Sequence, residues 1–156
     1  MTALKPFARR DETNTFFALG TRATFLLEGK DTGGRFSLIE FLLVRGADTP
    51  PHTHGNEDEH YYVLEGDISV QVGGETIEAT PGTYVFLPRG VKHAYHVRSD
   101  RARLLVGVYP AGFEQFFRQA GEPVAPDFIP PAPEGPPSAE QVRGLIEAAA
   151  KYGIVF

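Results

Sequence analysis

GADTPPHTHGNEDEHYYVLEG, residues 46–66, carries His52 and His54 two positions apart and Glu59 five positions later. On an extended chain, residues i and i+2 project to one face, so both imidazoles reach a common point. Gly55-Asn56 is a bend that can return the chain, and Glu59 opens the strand-like run Glu59–Leu64. Neutral imidazole nitrogen and carboxylate oxygen are donors that a divalent first-row metal takes. A second stretch, GTYVFLPRGVKHAYHV at 82–97, puts His93 just past a Pro88-Arg89-Gly90 turn, at the head of another extended run.

Around these stretches the chain reads as short strands. Phe16–Leu19, Ala23–Glu28, Arg35–Arg45, Asp67–Val72, Glu75–Ala79, Thr83–Leu87, Lys92–Val97 and Ala102–Tyr109 are extended runs divided by Gly and Pro turns. Gly73-Gly74 is a two-residue hairpin signal. Many short strands with such punctuation predict an all-β sandwich or barrel, and neither alternating helices nor an internal repeat is visible. FSLIEFLLV, residues 36–44, is almost wholly apolar, which predicts burial on both faces. A strand of a small barrel buried on its outer side points to a neighbouring subunit, so a homodimer is expected. Glu40 interrupts this run and needs a partner if buried.

The ends differ in character. Residues 1–15 read as a polar arm. Phe113, Phe116, Phe117 and Ala120 fall on one helical face, and Gly121 is a stop. This helix either covers the barrel mouth or packs outside. Residues 123–137 hold seven of the thirteen prolines and predict an extended segment laid over the surface. Ser138 with Gln141 forms a capping box for a second helix, whose apolar face is Val142, Leu145, Ile146 and Ala149 and whose end is Gly153.

At 156 residues one domain is expected, 1–156, with the barrel at about 16–110 and a helical, Pro-rich extension at 111–156. A net charge of −5 gives nucleic acid no electrostatic footprint. The absence of cysteine excludes disulfides, thiolate zinc sites and a cysteine nucleophile. MTALKPFARRDET lacks the apolar core of a signal peptide, and no stretch approaches a membrane span, so a cytoplasmic protein is expected.

The two histidine stretches together resemble the paired motifs of the cupin family. The first fits as Gly46, five residues, His52, one residue, His54, four residues, Glu59, six residues and Gly66. The second fits as Gly82, five residues, Pro88, one residue, Gly90, two residues and His93. The family pattern has Asn where this chain has Val97, which removes a polar group from near the pocket and leaves the ligands intact. The resemblance selects a small double-stranded jelly-roll barrel with one or two C-terminal helices. His52, His54, Glu59 and His93 are then the metal ligands. Glu57 and Asp58 are alternatives to Glu59, but Glu57 lies too close to His54 for the family spacing, and Asp58 has the wrong parity relative to Tyr61 and Val63.

The AGFEQFF helix and the KYGI segment after the barrel look like small bacterial cupins of the quercetin-dioxygenase-like kind. The resemblance implies a small phenolic or enolic, flavonol-like substrate bound to one divalent ion per chain, with dioxygen as co-substrate. Four ligands on an octahedral ion leave two positions open, which favours Fe, Mn, Ni or Co over Zn. Glu59 is expected to be both ligand and general base. Three neutral ligands and one carboxylate leave the ion a net charge near plus one, suited to a substrate monoanion. By strand parity Tyr61 and Val63 share the face of Glu59, and Tyr95 and Val97 that of His93. Phe41 or Leu42, and Tyr84 or Phe86, add to this lining across the barrel, with Phe86 taken into the substrate-binding set. His60 and His96 should point away. Alternatives on the same site are a metal-dependent isomerase or decarboxylase and a non-catalytic small-ligand binder.

Overall fold

The computed structural model describes residues 6–156, so the first five residues of the expected polar arm lie outside the described residues. In chain order the elements are β1 (Thr15–Ala18), β2 (Thr21–Leu27), α1 (Gly29–Thr32), β3 (Ser37–Val44), β4 (Thr53–His54), β5 (Asp58–Glu65), β6 (Ile68–Val72) and β7 (Glu75–Ala79). Then come β8 (Tyr84–Leu87), β9 (His93–Val97), β10 (Arg101–Tyr109), α2 (Glu114–Ala120), β11 (Glu122–Pro123), α3 (Ala139–Ala150) and β12 (Ile154–Val155).

The strands form a seven-stranded sheet, β11-β1-β2-β3-β10-β5-β8, a three-stranded sheet, β7-β6-β9, and the short pair β12-β4. After β5 the chain crosses to the small sheet for β6 and β7, returns for β8, crosses for β9 and returns for β10. That alternation between two antiparallel sheets is a jelly roll. Period-two patterning places one face of each strand in a single core that includes Phe25, Ile39, Phe41, Leu43, Val63 and Leu104.

Glycine chemistry sets two of the connections, one hairpin and one crossing. Gly73 and Gly74 both have positive φ, 56° and 90°, and connect β6 to β7 with Val72 paired to Glu75. Gly66 ends β5 at φ 71°, and a Cβ there would run into the Arg101 carbonyl oxygen. The last glycine of the first motif is thus required by the close approach of β10.

Three expectations change. The Gly33-Gly34 turn is preceded by one helical turn, α1, closed by a reciprocal Glu28–Asp31 capping box and by Gly33 at φ 65°. The outer side of β3 is covered in part by the chain itself. Arg22, paired with Leu42 across β2–β3, donates to the Phe128 carbonyl at 2.8 Å, and Phe128 packs its ring on Phe17. Glu40 finds Arg10 at 3.4 Å and Arg22 at 3.9 Å. In α3 the Ser138–Gln141 box forms as expected, but Val142 and Ile146 stay 37% and 43% exposed. Only the Leu145 and Ala149 side of that helix packs on the core, and the helix ends at Ala150, before Gly153.

Helix α2 lies against the interior end of the barrel. Its Phe117 meets the inward Phe41 with ring centroids 5.1 Å apart, and Phe113 and Phe116 are buried beside it. Ala120, assigned to the same apolar face, is exposed.

Candidate metal centre

His52, His54, Glu59 and His93 converge, each contributing one donor atom, with all four atoms within 4.8 Å of one another. Three segments supply them: the β4 segment gives both early histidines, β5 gives Glu59 and β9 gives His93. Main-chain bonds lock two of these segments together, since His52 and His93 donate their N–H groups to each other's carbonyls at 2.9 Å. All four side chains are buried.

The inward spacings suit a shared cation. His52 Nε2 lies 3.2 Å from His54 Nε2, and Glu59 Oε2 lies 3.7 Å from His54 Nε2 and 3.3 Å from His93 Nε2. Two donors about 2.1 Å from one ion and at right angles are about 3 Å apart. On the outer side, His52 Nδ1 donates to Pro50 O at 2.9 Å and His93 Nδ1 to Val91 O at 3.1 Å. A carbonyl only accepts, so these bonds place the ring proton on Nδ1 and turn an Nε2 lone pair inward. His54 Nδ1 donates instead to the Glu57 carboxylate at 2.6 Å. When both rings are neutral, lone pairs of His52 and His54 therefore face each other across 3.2 Å, and His93 Nε2 is buried without an aligned hydrogen bond. A divalent cation relieves both conflicts, so the donor set fits one.

Burial, helped by the neighbouring His93, holds the His52 pKa down to about 4. Burial also disfavours charge on His54, but the Glu57 bond and the Glu59 charge outweigh it and raise its pKa. For Glu59 burial is again the largest influence, and the histidines around it overcome it and keep the carboxyl below its usual range. Tyr61, pushed up by burial and by Glu59, keeps its proton and donates to Glu59 Oε2 at 3.3 Å.

Of the predicted lining, Tyr61, Val63, Tyr95 and Val97 are buried in the core, and the Tyr61 and Tyr95 rings meet edge to face at 6.1 Å. Phe86 is a correction. Glu59 pairs with Leu87 and Tyr61 with Val85 across β5–β8, and directly paired residues share a face. Val85 and Leu87 therefore point inward, and Phe86 is 47% exposed on the outside with Tyr84. His60 lies outward, as expected, bonded to Tyr84 and ringed by Phe86 and Tyr109. His96 pairs with Asp48 at 3.1 Å.

Two aromatic neighbours of the cluster escaped the sequence reading. Phe113 sets its ring edge-on to His54 at 4.9 Å, and Phe156 lies 5.6 Å from His52. Helical spacing marked Phe113 as apolar-facing, whereas a two-residue strand left no signal for Phe156. A surface hollow of about 460 Å³ reaches His93 and Pro51 from the side of the β6–β7 hairpin. No described helix is long and apolar enough to cross a membrane.

Residues 39–108 match the family described as Cupin domain. Quercetin 2,3-dioxygenase of Bacillus subtilis (strain 168) is 29% identical over 105 residues, 67% of this chain and 31% of that protein. The chain thus spans about a third of that relative's length. Among solved structures, an RmlC-like cupin from Shewanella frigidimarina superposes with a TM-score of 0.61 at 21% identity, over 74% of this chain and 99% of that one. Ectoine synthase from P. lautus superposes with a TM-score of 0.59 at 27% identity, over 81% and 88%.

Proposed function

From a small cupin that resembles the quercetin-dioxygenase-like proteins, we propose a metal-dependent dioxygenase acting on a small phenolic or enolic substrate. The convergent His52, His54, Glu59 and His93 donors carry this reading. They hold one divalent ion, with Fe, Mn, Ni or Co preferred to Zn because four ligands leave an octahedral ion two open positions. When bound, that ion supplies Lewis acidity and redox chemistry toward dioxygen.

The chain's own residues do the rest. Glu59 accepts the substrate hydroxyl proton; its depressed pKa keeps it ionised but makes it a weak base, so an acidic phenol or enol suits it best. Tyr61 holds Oε2 of that carboxylate by its hydroxyl. We take Tyr61, Tyr95, Val63, Val97 and Phe113, all buried in the core, as the apolar, largely aromatic side of the site, suited to a planar substrate and poor for a phosphate or dicarboxylate. Oxygen uptake with a flavonol or simpler enol, in protein loaded with each of the four metals, tests this. Uptake should vanish in Glu59→Gln, and no turnover across such a panel refutes the assignment.

Similarity to ectoine synthase over most of both chains favours a second reading, metal-dependent isomerase, decarboxylase or lyase chemistry without oxygen. Product formed under strictly anaerobic conditions separates the two. We further propose a cytoplasmic homodimer. The exposed aromatics Tyr62, Tyr84, Phe86 and Tyr109 on the β5, β8 and β10 side support the pairing better than the covered face of β3.

A further inference from the structure

We propose that Glu57 is a positioning residue of the metal centre, which holds His54 by a carboxylate while main-chain carbonyls hold the other two histidines. The inference rests on metal binding at the four-donor cluster and on nothing about the reaction. Three observations carry it.

First, Glu57 is only 4% exposed, yet it sits in a loop between β4 and β5 where solvent was within reach. Burying a carboxylate is costly unless it is paired, and here the partner is His54 Nδ1 at 2.6 Å. Secondly, the bond is selective. His52 and His93 donate the same ring atom to neutral carbonyls at 2.9 and 3.1 Å. A carboxylate draws the Nδ1 proton more strongly, so His54 becomes the most electron-rich of the three donors. Thirdly, the bend that returns Glu57 to His54 is itself tied down. Gly55 N–H donates to Gly153 O at 2.8 Å, and the Asn56 side-chain amide donates to Tyr152 O at 3.0 Å. A Cβ on Gly55 would approach Gly153 O to 3.0 Å, so the bend fits tightly against the C-terminal strand.

Glu57 also alters the charge of the site. A divalent ion with Glu59 alone carries a net charge near plus one, and the buried Glu57 carboxylate brings the assembly to neutrality.

Cobalt(II) is the probe. Wild-type protein should bind one ion per chain. Glu57→Gln keeps an acceptor but loses the charge, and should bind cobalt about tenfold to hundredfold more weakly. It should also lose cobalt faster to a chelator and show displaced ligand-field bands. Equal affinity and an unchanged spectrum overturn the proposal while leaving metal binding intact. Absence of cobalt binding in the wild type overturns metal binding itself. Should the variant fail to fold, zinc-loaded wild type with ¹⁵N-labelled histidine carries the test. The His54 Nδ1 proton should resonate downfield of those on His52 and His93, and equal shifts refute the special bond.

Discussion

Ile154 and His54 stand directly opposite each other in the antiparallel β12–β4 pair. A candidate metal-ligating histidine is therefore held from outside by a strand about a hundred residues away in sequence. The strap depends on Gly153, at φ 74°, where a Cβ would approach the Asn56 side chain to 2.5 Å. Gly153→Ala should destabilise the fold by about 1–3 kcal/mol and weaken cobalt binding along with it. Urea unfolding and cobalt titration check this, with Gly135→Ala as control, since a Cβ there meets nothing. Lost stability with unchanged metal affinity would restrict the strap to a structural role.

Metal affinity should fall as the pH drops, starting above 6.5. Burial works against a charged His54, but Glu57 and Glu59 raise its pKa above 6.5, so the metal-free protein holds a proton there that the ion must displace. His52, held down to about 4, adds no competing proton until the medium is far more acidic. Cobalt binding near pH 6.5, measured by calorimetry in two buffers of different ionisation enthalpy, should release more than about half a proton per ion. Release of none contradicts this account of His54.

The site was legible because its code is local. His52 and His54 share a face by strand parity alone, and the spacing to Glu59 and from Pro88 to His93 survives without knowledge of any partner strand. Phe86 failed because parity within β8 has no reference until β8 is set against β5. Once Leu87 pairs with Glu59, Phe86 must turn outward. β12 was invisible for a different reason, since two residues cannot display a period, and its pairing with β4 is wholly tertiary. The apolar face of α3 was read correctly as a pattern, yet Val142 and Ile146 are only partly covered. Periodicity reports which face is apolar, not how much of it the fold covers.

Tyr61→Phe should separate positioning of Glu59 from metal binding. The hydroxyl donates to Glu59 Oε2 at 3.3 Å, and both groups are buried. A hydrogen bond to a charged group contributes about 1.5–3 kcal/mol, so turnover should fall roughly tenfold to a hundredfold. Cobalt stoichiometry should stay at one per chain, because no ligand is removed. Steady-state rates beside metal analysis make the comparison, and a loss of bound metal equal to the loss of rate would argue against it.

The helix that carries Phe113 to His54 is anchored by a buried ion pair. Arg118 on α2 donates to both oxygens of Glu28, at 2.7 and 3.0 Å, and the Glu28 side chain is buried. Lys30 adds a contact at 2.7 Å from solvent. Removing one partner of a buried pair costs about 3–5 kcal/mol, and Arg118→Leu should fall at the lower end because Lys30 remains. Burial pushes the Glu28 pKa up, but Arg118 and then Lys30 overcome this and leave it lowered. A carboxyl with a depressed folded pKa stabilises the fold above its unfolded value of about 4.5 and loses that contribution as the pH falls through the folded value. Wild type should therefore lose more stability than Arg118→Leu between about pH 5 and pH 3. Urea midpoints of the two proteins across that range decide it, and parallel curves would show that the pair does not govern acid stability.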